Sequence, residues 1–416
     1  MERPQQPRRR SVQGRTLVTR AKIVDGAIEV LASRGVAGLT HRAVARAAGV
    51  SLAATTYHFD SKTGILRETS KVLLDGYLAA FRRLERRRSL GEDIGLHTLD
   101  ELVRRVVLNA LGRERTRSLA WCELVLHGGR SAEGRELANG WFRELDAIWA
   151  ALAAHLDAPE RSSAGTAIDL AVGLTFLLHP LDLQGGEVAD LLEGRVDLAP
   201  LLARRYPDFA STSAAGQPGP GATDIRSRIV EAAIEVLNDE GAGAVSFRTV
   251  SERLHMARSG PNYHFKSMAS LLEAAHSTLF ERARGRYREG LKEAPPADRD
   301  GSRLADLAAT IFLREALEYH RENLGYYSVW MSAVFNPGLK GAVAGAVLNL
   351  HNAWRRRLEA ARPPVSSPVV SLRLQALFIG MLVRALATDT DVASLSRARE
   401  AFASVLQGDD AAAFAN

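Results

Sequence analysis

Cysteine occurs once in this chain, at Cys122. A lone thiol excludes an intramolecular disulfide and any cysteine-built zinc site, and in an apolar helical stretch it reads as a small core residue. Strand signals are scarce, while Ala, Leu, Arg and Glu crowd long segments in the manner of helices. Long hydrophobic runs are missing too. The stretches around Leu170 to Leu178 and Leu374 to Val383 hold about ten residues, against the ~20 that span a bilayer, so no membrane crossing is expected. The arginine-rich N-terminus lacks the apolar segment of a secretory signal, which points to the cytoplasm. No phosphate-binding glycine loop and no metal-ligand cluster appears, so neither cofactor nor metal is expected.

The chain has 416 residues, enough for two to three domains. Its formal charge of +6 is unevenly spread: residues 1–67 carry 12 Arg/Lys against 4 Asp/Glu. The front is therefore basic and the remainder slightly acidic, as suits a polyanionic partner whose counterions are released on binding.

Compared with itself at an offset of 206, the chain aligns without gaps, and Ile23–Leu66 against Ile229–Leu272 gives 15 identities in 44 positions. These include AIEVL at 27–31 and 233–237, and the Tyr-His-Phe of "SLAATTYHFDS" and "ARSGPNYHFKS". At offset 205, Leu119 pairs with Leu324, Trp121 with Tyr326 and Trp149 with Trp354, so the duplication extends over the whole half. The expected division is an arm at 1–19, a first helix-turn-helix domain at 20–68 and a helical body at 69–206. A Ser/Gly/Pro linker at 207–224 leads to a second helix-turn-helix domain at 225–273, a second body at 274–408 and a tail at 409–416. A further Pro-rich break lies at 294–302.

Within the repeat, Ile23, Ala27, Ile28, Val30 and Leu31 form one helical face, and Gly35 ends that helix. Thr40 caps a second helix with Val44, Ala45 and Ala48 inward, and Gly49 closes it. Ser51 caps a third helix through His58, and a fourth begins near Ser61. This is a helix-turn-helix, whose second helix offers its first turns to the major groove.

The segment "LTHRAVARAAGVSLAATTYHFDSKTGIL", and less closely "VSFRTVSERLHMARSGPNYHFKSMASLL", resembles the DNA-binding domain of the TetR family of bacterial transcriptional regulators. The resemblance covers about 45 residues per half, and beyond them each half is similar to the family only in length and helicity. It implies an all-α fold of two tandem halves, each a helix-turn-helix domain with a ligand-binding and dimerisation domain. It further implies double-stranded DNA and an unknown small-molecule effector as partners, and non-enzymatic, ligand-responsive repression. The two halves would pair as an intramolecular pseudodimer through helices near 140–156, 164–180, 344–361 and 368–388, with further self-association left open.

Carried over by position, Leu52, Ala53 and Ala54 face base edges, Thr55 and Thr56 take base or phosphate contacts, Tyr57 and His58 meet the backbone, Lys62 meets a phosphate, and Thr40 belongs to the same surface. In the second half the corresponding surface is Ser246, Arg258, Ser259, Gly260, Asn262, Tyr263, His264 and Lys266. Here His255 replaces the turn glycine, Glu252 replaces Arg46 and Met268 replaces Lys62; Pro261 fits because it lies in the first turn. Asp224–Leu272 carries 6 Arg/Lys and 6 Asp/Glu, a neutral module beside the basic first one. In the arm, Arg8, Arg9, Arg10 and Arg15 either enter a minor groove or make nonspecific phosphate contacts. Trp121, His127, Phe176, Tyr326, Trp330 and Phe378, at helical spacing in the bodies, are core residues of which some also line an effector pocket. Alternatives are that only the first module binds DNA, the second half serving as scaffold or sensor, or that the protein binds a small molecule or partner without reading DNA.

Overall fold

Each half opens on the same four helices, punctuated by the residues the sequence singles out. The computed structural model describes residues 8–156, 163–207, 223–292, 302–361, 368–389 and 397–407, and all regular elements among them are helical. Helix α1 (Arg8–Arg34) stops at Gly35, which takes the left-handed φ of 62° that glycine adopts without steric cost. Thr40 Oγ1 accepts the Ala43 N–H at 3.1 Å and starts α2 (His41–Ala48), and Gly49, again at φ 62°, ends it. Ser51 and Ser61 cap α3 (Leu52–His58) and α4 (Lys62–Ser89) in the same way. Because α1 already begins at Arg8, the segment read as an arm is helical from there on; residues 1–7 and the side chains of 8–15 lie outside the described residues.

The second half repeats this as α11 (Thr223–Glu240), α12 (Phe247–Arg253), α13 (Gly260–His264) and α14 (Met268–Lys292). The repeat identities are core residues in both copies: Ile23 and Ile229, Leu31 and Leu237, and Val44 and Val250 are all fully buried. Most of the linker, the break at 294–302 and the C-terminal tail lie outside the described residues.

The first body contains α5 (Leu99–Leu111), α6 (Arg115–Gly128), α7 (Ala132–Ala153), α8 (Ala164–Leu178), α9 (Gly185–Leu192) and α10 (Leu198–Arg205). The second contains α15 (Ser302–Leu317), α16 (His320–Ala333), α17 (Pro337–Ala361), α18 (Pro368–Ala387) and α19 (Ala398–Gln407). The stretches Ala164–Leu181 and Pro368–Ala387 are apolar over 18 and 20 residues, longer than the uninterrupted runs suggest. Within the fold they are core, 78% and 72% buried, and α8 packs along α18.

That crossing depends on two glycines. A Cβ on Gly173 would stand 1.7 Å from Ala376 O, and one on Gly380 would stand 1.7 Å from Asp169 O. The two sites mirror each other across the halves, so the backbones meet where side chains would force them apart.

Around this crossing the contacts depart from two-fold symmetry. Helix α17 packs on α10 and on the 179–181 turn, whereas α7 packs on α8 and α18. One ion pair is repeated at corresponding positions, Lys340–Asp182 at 2.9 Å and Arg135–Asp389 at 3.8 Å. Others are made once, with the acid in the first half: Arg373–Asp100 at 2.7 Å, Arg355–Asp197 at 2.8 Å, and Arg384 with Asp146 and Asp169. Positions corresponding to Arg355, Arg373 and Arg384 in the first half hold Ala150, Thr166 and Leu177, which cannot return the contact.

Candidate nucleic-acid interface and effector cavity

The two recognition helices begin differently because of two substitutions. In α3, Ser51 Oγ accepts the Ala54 N–H at 3.1 Å, and the Thr55 N–H reaches Ser51 O at 3.3 Å. The corresponding residues are Ala257, which has no side-chain acceptor, and Pro261, which has no N–H. Helix α13 therefore starts at Gly260, spans 5 residues against the 7 of α3, and leaves Arg258 and Ser259 in the preceding turn. Pro261 occupies its first turn, as the sequence requires.

The preceding turn survives the loss of its glycine. His255 adopts φ 51°, close to the 62° of Gly49, so the backbone path is kept at the expense of a left-handed non-glycine residue. Glu252, in the place of Arg46, accepts from Arg248 Nε at 2.7 Å and neutralises the face that is basic in the first half.

Leu52, Ala53, Thr56 and Tyr57 are exposed on α3, as are Arg258, Ser259, Asn262, Tyr263 and Lys266 in the second module. Ala54, Gly260, His58, His264 and Ser246 are partly covered, and Thr40 is exposed. Thr55 is a correction to the sequence reading: it is fully buried and its hydroxyl donates to Leu52 O at 2.8 Å, so it cannot face DNA. Its spacing held the signal, since Thr55 lies four residues before core Phe59 and therefore on the inward face.

Tyr57 and Tyr263 are 80% and 88% exposed, and each ring stands edge-on to the following histidine, at 5.2 and 5.4 Å. Behind them, Arg20 stacks over Phe59 at 4.8 Å and Arg226 over Phe265 at 4.1 Å. This Arg–Phe pair repeats at the same offset of 206 and anchors both tyrosine-bearing turns to α1 and α11; the sequence comparison, which started at Ile23, missed it. Lys62 is exposed at the start of α4; partial desolvation lowers its pKa, and nearby Glu240 of α11 opposes that. The side chains of Arg8, Arg9, Arg10 and Arg15 lie outside the described residues.

Of the six side chains read as pocket candidates, Trp121, Phe176, Tyr326, Trp330 and Phe378 pack against other aromatic rings. Trp121 lies 6.0 Å from Trp141 and 6.4 Å from Phe176, and Phe176 in turn meets Tyr327 of the other half at 6.3 Å. Tyr326 stacks on His276 at 5.1 Å, Trp330 Nε1 donates to His276 Nε2 at 3.3 Å, and Phe378 packs on Trp354 and Phe402. His127 bonds Ser131 Oγ at 3.0 Å, and burial, with Arg130 and Lys62 nearby, lowers its pKa to about 4.

Open space lies elsewhere. A cavity of about 880 Å³ between the halves is lined by Phe142, Arg143, Asp146, Asp169, Phe312, Met381 and Arg384 among others, and by none of those six. Burial raises the Asp169 pKa to about 6, partly offset by Arg384, whose guanidinium also lies 4.9 Å over Phe142. The sequence could not show this cavity, because it forms only where α7, α8, α15, α18 and α19 meet across the two halves.

The family of bacterial regulatory proteins, tetR family, matches residues 23–69 and again residues 229–275, which are the two helix-turn-helix units. No curated protein matches the chain. Among solved structures, a member of the TetR family from Streptomyces coelicolor A3 is 29% identical, over 42% of this chain and 95% of its own, with a TM-score of 0.31. The multidrug binding protein EbrR complexed with imidazole is also 29% identical, over 42% of this chain and 92% of its own, with a TM-score of 0.29.

Proposed function

We propose that the chain, which matches the TetR-family model at the head of each half, is a transcriptional regulator acting as a single-chain pseudodimer. In this reading it is a ligand-responsive, non-enzymatic repressor in the cytoplasm, and its operator is asymmetric or imperfectly palindromic. The observation that carries it is the pair of exposed tyrosines, Tyr57 and Tyr263, on one chain whose bodies pack through Gly173 and Gly380. Tyr57, His58, Lys62 and their counterparts Tyr263, His264 and Lys266 would hold the phosphate backbone. Leu52, Ala53, Ala54 and Thr56 would meet base edges in one half-site, and Arg258, Ser259, Gly260 and Asn262 those in the other. Unlike residues at these positions select unlike half-sites.

The effector would enter the cavity between the halves, where aromatic side chains beside paired charges suit a small amphipathic molecule. A ligand there touches both bodies, so it can favour the relative tilt that binds DNA poorly. Selection of bound duplexes from a random pool tests the reading: two unlike half-sites are expected, and a perfectly palindromic consensus would contradict it.

The shorter, uncapped α13, the neutral charge of its module and Met268 in place of Lys62 favour one second reading, in which only the first module binds DNA. The same selection would then return a single half-site.

A further inference from the structure

Arg130 lies in the short connection between α6 and α7, yet most of its hydrogen bonds leave its own half. Nε donates to Asn238 O at 3.1 Å, and Nη2 to Leu237 O at 3.1 Å and Leu324 O at 2.9 Å; Nη1 donates to Leu126 O of α6 at 3.3 Å. Leu237 and Asn238 belong to the last turn of α11, where the helix dipole favours a cation; the Leu237 carbonyl also accepts the Gly241 N–H at 3.1 Å. Leu324 belongs to α16, which packs on α11. One guanidinium thus joins the end of α6 to the first helix of the second DNA-binding domain.

The junction is tightly seated. A Cβ on Gly128 would come within 2.6 Å of Ala387 O, and one on Gly129 within 2.6 Å of Leu324 Cδ1. The two DNA-binding domains also touch here, since a Cβ on Gly243 would stand 2.0 Å from Arg34 O. Among the described residues the second half returns nothing equivalent. The residue 205 positions after Arg130 is Phe335, half exposed and without a donor. At the end of α1 the first body offers Glu123, whose Oε2 lies 2.6 Å from where a Gly35 Cβ would be.

We infer that Arg130 is a one-way positioning residue, which makes the orientation of the second DNA-binding domain follow the α6–α7 junction of the first half. A rearrangement at the α6–α7 junction then moves both domains, the first through its own body and the second through Arg130. The inference builds on the paired-reader function proposed above, but its test needs no DNA.

Spin labels on the full chain at Asp60→Cys and Lys266→Cys, equivalent exposed positions, report the distance between the two domains; Cys122 is buried. In Arg130→Ala the distribution should shift and broaden, and amides of the last turn of α11 should exchange about tenfold faster while those of α1 keep their protection. Arg130→Lys, which keeps the charge and part of the donor set, should restore much of both, and Phe335→Ala should change neither. Unchanged distances in Arg130→Ala, or equal loosening of α1 and α11, would overturn the inference. Where Arg130→Ala does not fold, Arg130→Lys carries the same two readouts, with a smaller shift confined to α11 expected. Failure of the unmutated chain to bind any duplex, with the α11 response intact, would count against paired reading and leave the role of Arg130 standing.

Discussion

The first recognition helix and its counterpart share Tyr-His-Phe and little else, and what differs is as ordered as what is kept. Buried positions repeat: Ile23 with Ile229, Val44 with Val250, Phe59 with Phe265, and even Thr55 with Pro261, which share an inward position. Apart from Glu29, Arg42, Tyr57 and Ser61, which recur as Glu235, Arg248, Tyr263 and Ser267, exposed positions diverge in charge, in hydrogen-bonding groups and in helix length. The interface between the bodies follows the same rule, with mirrored glycines at its centre and one-sided ion pairs around them. Packing has held the two modules alike while their surfaces have separated.

The largest effect is expected where the halves are most alike. Gly173→Ala and Gly380→Ala each drive a methyl into a backbone carbonyl of the other half, and each should cost about 3 kcal/mol in denaturant unfolding. Unequal losses would show that the crossing is less symmetric than its geometry. Next come the tyrosines. Tyr57→Ala and Tyr263→Ala should each weaken operator binding, by about 1 kcal/mol per lost backbone hydrogen bond, in a titration at fixed salt. A loss at Tyr57 alone would reduce the comparison to one reader and one scaffold.

The caps and turns sharpen the contrast at smaller magnitude. His255→Gly should raise the unfolding free energy by about 1 kcal/mol, because it releases a left-handed histidine, and Gly49→His should lower it. Ala257→Ser should extend protection of α13 toward Arg258 and add about 0.5 kcal/mol, measured by amide exchange. An unchanged α13 would assign its short length to Pro261 alone.

Acid acts on a histidine of burial-lowered pKa in each half, His127 in the first and His276 in the second. At one motif position the first half has Ser70, which accepts from Trp141 Nε1 at 3.0 Å, and the second has His276, which accepts from Trp330. Burial lowers the His276 pKa to about 4 from 6.5, so the folded state resists a proton that the unfolded chain takes up. Its contribution is present above pH 6.5 and is lost as pH falls toward 4. His276→Gln should flatten the stability profile in that window, and an unaltered profile would mean that other histidines set it.

Much of this was legible in the sequence because it is local. Glycines at helix ends, Ser and Thr at caps, and an offset that preserves apolar spacing all act within a few residues. The burial of Thr55 follows from its spacing of four residues to Phe59, although a hydroxyl beside exposed Thr56 suggests DNA contact. Isolated glycines in the apolar segments "AVGLTFLL" and "FIGMLV" hinted at close packing, though nothing local names their partners. The cavity and the Arg130 contacts depend on which elements of one half meet the other, which a repeat cannot reveal while both copies are read as equivalents.

Whether one chain supplies both readers can be seen by footprinting combined with the mass of the protein–DNA complex. One chain per operator is expected, protecting two unlike half-sites, one lost with Tyr57→Ala and the other with Tyr263→Ala. Two chains bound to a perfect palindrome, each through its first module, would contradict it.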